Sequence, residues 1–112
     1  MKIGIYGGSF NPIHFGHIGL AKWVTEHTDL DQVWLMVSPN NPLKDKAILA
    51  DEQERLDAAK EAIRRESDEA KDKIIVSDFE FHLPRPTYTA NTLRALAKAY
   101  PEHEFTLIIG ED

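Results

Sequence analysis

Cysteine is absent from the 112 residues, which excludes a disulfide framework and any thiolate metal centre. Positive charge is scarce as well: 13 Lys and Arg stand against 19 Asp and Glu, a net charge of −6. A nucleic-acid surface needs a basic stripe, so that class of partner is excluded. An anionic small molecule would have to be held by local donors rather than by a global field. No apolar run approaches the roughly 20 residues of a membrane span, and the chain begins with a strand-like stretch rather than an apolar signal region. Cytoplasm is therefore the expected compartment. Neither GxGxxG nor GxxxxGK(S/T) occurs, which removes the dinucleotide fingerprint and the Walker loop. Repeats, low-complexity segments and linkers are missing too. With 42% hydrophobic and 29% charged residues, positions 1–112 read as one small domain with a single core.

What is present concentrates near the start. Residues 3–17 form a short apolar strand, a glycine turn and the first turn of a helix carrying His14 and His17. A strand, a glycine turn and a helix N-terminus make a phosphate-holding unit, because unpaired N–H groups and the macrodipole point the same way. Gly7 and Gly8 let a phosphate approach the main chain, the amides of 8–10 (Gly8, Ser9, Phe10) would donate to it, and Pro12 stiffens the loop. His17 shares a helical stripe with Leu20, Ala21 and Val24. It reads either as a satisfied histidine at the edge of the core or, paired with His14, as half of an anion bracket.

Along the chain, strands are expected at 2–6, 32–37, 74–77 and 105–109, and helices at 15–28, from about 51, and at 89–99. Asp51 and Glu54 resemble a capping box, with Leu56, Ala59 and Ile63 on the buried face. The tail 64–73 is mostly charge and reads as a solvated face. Pro84 and Pro86 make 78–86 extended, and the last helix should bury Leu93, Leu96, Ala97 and Tyr100. Alternating strands and helices imply right-handed βαβ units and a parallel sheet, a Rossmann-like three-layer α/β/α fold. In such a sheet, ligands bind beyond the carboxyl ends of the strands. The loops leaving the first, second and fourth strands (7–17, 38–45 and 110–112) would share that rim. They bring Lys44 as a cation for an anionic substrate, or as a solvated loop lysine. They also bring Gly110 and Asp112, the latter a ribose acceptor or simply an acidic end.

The stretch Gly8-Ser9-Phe10-Asn11-Pro12-Ile13-His14-Phe15-Gly16-His17 resembles the GxFxPxHxGH signature of the HxGH nucleotidylyltransferase superfamily, with Asn11 where Asp is frequent. Ser38-Pro39-Asn40-Asn41-Pro42-Leu43-Lys44 is similar to the Pro-rich, Lys-bearing loop of bacterial nicotinate-nucleotide adenylyltransferases, with Leu43 where that family often has histidine. Pro86-Thr87-Tyr88-Thr89-Ala90-Asn91-Thr92-Leu93 resembles the family's P-S-Y-T-x-x-T-L segment, although it also reads as a helix start with threonine caps. Leu107-Ile108-Ile109-Gly110-Glu111-Asp112 is similar to the following strand and G-x-D turn.

The resemblance implies ATP binding at Gly7, Gly8, Ser9, Phe10, Gly110 and Asp112, catalysis by His14, His17 and Lys44, and a nicotinate-nucleotide site at Thr87, Tyr88 and Thr89. It implies no protein-held metal, with Mg²⁺ carried mainly on the ATP phosphates. Family members continue through a late I-S-x-(S/T)-x-x-R segment without a counterpart here, so the chain is expected to be the N-terminal portion of the family fold. The implied reaction joins nicotinate mononucleotide to the AMP part of ATP, giving deamido-NAD and pyrophosphate. A phosphate monoester with a second pKa of about 6 is already ionised at neutral pH and needs no general base. Histidine and lysine are left with charge stabilisation and positioning for in-line attack. A pantetheine-phosphate or glycerol-phosphate transferase of the same superfamily, or a nucleotide-binding module without catalysis, are the alternatives. Flavodoxin-like cofactor binding would not explain paired histidines behind a glycine loop.

Overall fold

The computed structural model describes residues 1–8, 10, 15–39, 43, 45–85 and 87–108. Its centre is a four-stranded, all-parallel sheet in the order β3-β2-β1-β4, built from β1 (Lys2–Gly8), β2 (Gln32–Val37), β3 (Ile74–Ser77) and β4 (Glu104–Ile108). The registers Ile5↔Trp34, Ile5↔Leu107 and Leu35↔Val76 carry the ladder across the sheet. Strand order reverses at β1, with β2 on one side and β4 on the other. The helices are α1 (Phe15–His27), α2 (Lys46–Arg64), α3 (Asp68–Lys73) and α4 (Thr89–Ala99), with a 3₁₀ turn at Phe79–His82.

Alternation along the strands sorts the core into two layers. Tyr6, Val33, Leu35, Val37 and Ile74 face α1–α3, where they meet Ile18, Ala21, Val24, Leu56, Ala59, Ile63 and Ala70. Ile3, Ile5, Met36, Trp34 and Phe105 face the other way, against Leu93, Leu96 and Tyr100 of α4 and Phe79. Helices on both faces leave each strand apolar on both sides, as a parallel sheet requires. Gly4 permits the first layer to close: a Cβ there would sit 2.5 Å from Ile108 Cδ1 and 2.9 Å from Leu30 Cδ1. At the amino end of β1, Lys2 Nζ lies 2.7 Å from Asp29 Oδ2 and holds that carboxyl below its usual pKa.

Several local expectations are corrected. Helix α2 begins at Lys46, not near Asp51, because Asp45 is the N-cap and its side chain accepts from Ile48 N at 2.9 Å. Much of the charged tail is helical: Ser67 caps α3, and the short helix buries Ala70 against the sheet. Residues 78–86 are not extended throughout, since Phe79–His82 turn as a 3₁₀ helix that seats the aromatic ring of Phe79 beside Tyr100. Ala97 is exposed, and Thr92 is buried in its place. The threonines before α4 do not cap it; the N-cap is Tyr88, without a side-chain hydrogen bond. The outer strands differ slightly, β1 reaching Gly8 and β4 starting at Glu104. Among the described residues, no helix is long and apolar enough to cross a membrane.

Candidate active site

A parallel sheet puts the chain leaving β1 and β2 at one rim, and a cleft of about 320 Å³ opens there on the α4 side. Gly7 and Gly8 form its floor. Ser38 after β2 and Leu107 and Ile108 of β4 form its sides, and Glu80, Thr89 and Thr92 come from the 3₁₀ turn and α4. This is the switch point of the sheet, with β2 on one side of β1 and β4 on the other. Gly7 keeps the floor bare: a Cβ built on it meets nothing within 4 Å. Gly7→Ala should therefore fold with a thermal midpoint within a few degrees of the parent, roughly the scale of a surface substitution, while its methyl obstructs the cleft. The measurement is MgATP titration calorimetry beside a melting curve, with weakened binding at an unchanged midpoint expected.

Thr92 is held in the cleft wall by Glu80, a buried side chain that sequence reading missed. Thr92 Oγ1 lies 2.7 Å from Glu80 Oε2 and 3.2 Å from the Tyr88 carbonyl oxygen. Its proton goes to the shorter, charged partner. Thr87 Oγ1 donates to Glu80 Oε1 at 3.4 Å. The carboxylate thus draws both ends of the 87–92 turn onto the 3₁₀ segment. A lone Glu three residues after β3 carries no pattern that marks it in sequence. Only the fold brings it to Thr92.

The three residues expected to hold nicotinate nucleotide part company. Thr89 faces the cleft, whereas Thr87 and Tyr88 border a second groove of about 440 Å³ with Leu83, Pro84, Arg85, Asn91 and Ala95. Tyr88 is 61% exposed.

On the other face of the sheet, the start of α1 is organised by aromatic rings. Phe10 has φ 49°, the left-handed region that side chains other than glycine rarely occupy. Its ring is only 2% exposed and stands edge-on to Tyr6 (centroids 5.6 Å) and to His17 (4.9 Å). His17, third residue of α1, is 6% exposed and also lies edge-on to Tyr6 at 6.1 Å. The His17 ring is therefore fixed in orientation at the core's edge, on the stripe expected with Ala21 and Val24. Burial of Phe10 holds the strained turn after β1 in place. His14, Lys44, Ser9, Gly110 and Asp112 lie outside the described residues. Among the described residues, no group of three or more His, Cys, Asp or Glu side chains could hold a metal ion.

Parallel strands, with bare glycine backbone at the switch point and a helix start opposite it, define a Rossmann-like α/β unit with its crevice at the switch point. The cytidylyltransferase-like family model matches residues 5–112, and the chain belongs to that family. It is 52% identical to a Bacteroides fragilis protein named "probable nicotinate-nucleotide adenylyltransferase", over 99% of this chain and 53% of that protein. It is 51% identical to a Flavobacterium johnsoniae protein of the same name, over 100% of this chain and 55% of that one. The chain thus spans about half the length of the curated relatives it matches. In fold it is similar to Plasmodium falciparum nicotinic acid mononucleotide adenylyltransferase complexed with NaAD (TM-score 0.74, 24% identity, covering 95% of this chain and 50% of that one). The same enzyme complexed with APC gives a TM-score of 0.70 at 22% identity.

Proposed function

We propose that this chain, read as one nucleotide-binding unit over 1–112, takes part in adenylyl transfer from ATP to nicotinate mononucleotide, giving deamido-NAD and pyrophosphate, in the cytoplasm. The observation that carries the reading is the cleft itself: bare glycine backbone at the end of β1 faces the uncapped first turn of α4 across the switch point. The identity to curated relatives of that name supports the choice of substrates.

In this reading the amides of 8–10, His14, His17 and Lys44 bind the ATP phosphates, and Gly110 and Asp112 the rest of the nucleotide. Thr87, Tyr88 and Thr89 take the acceptor. The acceptor phosphate attacks the α-phosphorus in line, its oxygen–phosphorus bond forming as the bond to pyrophosphate breaks. No residue has to remove a proton, because the acceptor oxygen is already ionised. The protein's part is to align the two phosphates and to place positive charge and N–H donors where negative charge accumulates. Mg²⁺ would enter on ATP's own oxygens and neutralise part of their charge.

The test is pyrophosphate release with MgATP and, in separate reactions, nicotinate mononucleotide, nicotinamide mononucleotide, phosphopantetheine and glycerol phosphate. It is run on the protein containing this chain. Release with nicotinate mononucleotide alone is the expected result. Release only with phosphopantetheine or glycerol phosphate would reassign the substrate. MgATP binding without release from any acceptor would reduce the function to nucleotide binding.

A further inference from the structure

Away from the cleft floor, three charged side chains are buried together on the flank of α2. Glu52 and Arg55 stand three residues apart on the helix, 2% and 4% exposed. Arg85 reaches Glu52 from a segment 33 residues further along the chain, with both side chains 3% exposed. The contact is bidentate: Arg85 Nη1 to Glu52 Oε2 at 2.7 Å and Nη2 to Oε1 at 2.6 Å. Arg85 Nη1 also donates to the Leu43 carbonyl oxygen at 3.4 Å. Arg55 Nη1 donates to the Ser38 carbonyl oxygen at 3.0 Å, and its Nε to Asp51 Oδ2 at 3.4 Å. Asp45 closes the same stretch by capping α2.

Burying charge is costly, and apolar residues of similar volume often stabilise a protein as well or better. Stability alone is therefore a poor reason for this arrangement. Its geometry suggests another. The two guanidinium groups reach the main chain of the segment after β2, at Ser38 and Leu43, while Glu52 holds the residue two places before Thr87. We propose that Glu52, Arg55 and Arg85 are positioning residues that set the distance between the segment after β2 and the turn that opens α4. The inference rests on the function proposed above, in which those two segments bring Lys44 to the phosphates and Thr87–Thr89 to the acceptor. Arginine suits the task because its planar fork serves a carboxylate and a carbonyl at once, which a lysine ammonium cannot do in a fixed geometry.

Three variants of the protein containing this chain test this by melting curves, backbone amide exchange and MgATP calorimetry. Glu52→Gln leaves the Arg85 charge without its counter-charge and should lower the thermal midpoint by roughly 10 °C or more. Glu52→Leu combined with Arg85→Met removes both charges and should bring the midpoint back to within about 5 °C. In that double variant, the amides of Ile48, Leu49 and Thr92 should still exchange roughly tenfold faster than in the parent, while Leu35 in the sheet is unchanged. Arg85→Lys keeps the charge and the pairing with Glu52 but loses the second arm. It should show the same local increase, and it decides the matter if the double variant does not fold. MgATP affinity should fall by roughly tenfold in whichever variant shows the faster exchange. Parent-like exchange at those three amides in the folded variants overturns the proposal. So does faster exchange with unchanged affinity in a parent that binds MgATP. A parent that binds no MgATP sinks the nucleotide reading alone, since the exchange comparison is made without nucleotide.

Discussion

His17→Phe is expected to lower pyrophosphate release by about 10²–10³-fold, the cost of removing one preorganised donor from a developing negative charge, while leaving the fold intact. Phenylalanine is the informative replacement because the His17 ring is packed edge-on against Phe10 and Tyr6. Another aromatic ring keeps those contacts and removes the N–H. His17→Ala would mix two effects, since a buried ring is lost along with the donor. Comparison of kcat and of the acceptor KM separates them further. A group that acts on the transition state lowers kcat with little change in KM, whereas one that merely shapes the site moves both. Near-parent turnover in His17→Phe would assign the histidine to packing.

Phe10→Ala should show the largest loss of stability of any substitution near the cleft, about 3–5 kcal/mol. Two losses coincide. The ring, 2% exposed, is removed from between Tyr6, His17 and the α1 layer. The packing that keeps the backbone at φ 49° goes with it. A loss of that size is a large fraction of the roughly 5–15 kcal/mol that holds a small domain together. Urea unfolding should therefore show a much lower midpoint with an unchanged slope. MgATP affinity should fall too, because the strained turn carries the amides assigned to phosphate. A loss below about 1 kcal/mol, within the range of ordinary substitutions, would mean that the ring does not anchor the turn.

The sheet was legible because parallel strands covered on both faces must be apolar throughout. Val33 to Val37 and Ile74 to Val76 have no other plausible place, and their expected limits match β2 and β3. The rim also followed from chain order, since parallel strands leave their ligand loops at one edge. The start of α2 was misread for a specific reason. Asp51 and Glu54 have the spacing of a capping box, but Asp45 caps first, and Ile48 then lies half-buried on the helix. Gly7, Gly8 and Thr89 of the cleft were legible, but Glu80 and the buried Glu52, Arg55 and Arg85 were not. For Glu52, Arg55, Glu80 and Arg85 a charge normally means solvent, and their partners are between 4 and 42 residues away. Burial of a charge depends on what the fold brings opposite it, and no local pattern encodes that. The family resemblance located the P-T-Y-T segment, but it did not show that Thr89 would face one cavity and Tyr88 another.

Backbone amide chemical shifts recorded while MgATP is added to the ¹⁵N-labelled chain test most directly whether this rim receives a nucleotide. The account predicts that the resonances that move belong to Gly7, Gly8, Phe10, Ser38, Thr89 and Thr92, with Lys2, Glu104 and the outer face of α2 unmoved. Shifts confined to the opposite end of the sheet, or no shifts at millimolar nucleotide, would contradict it.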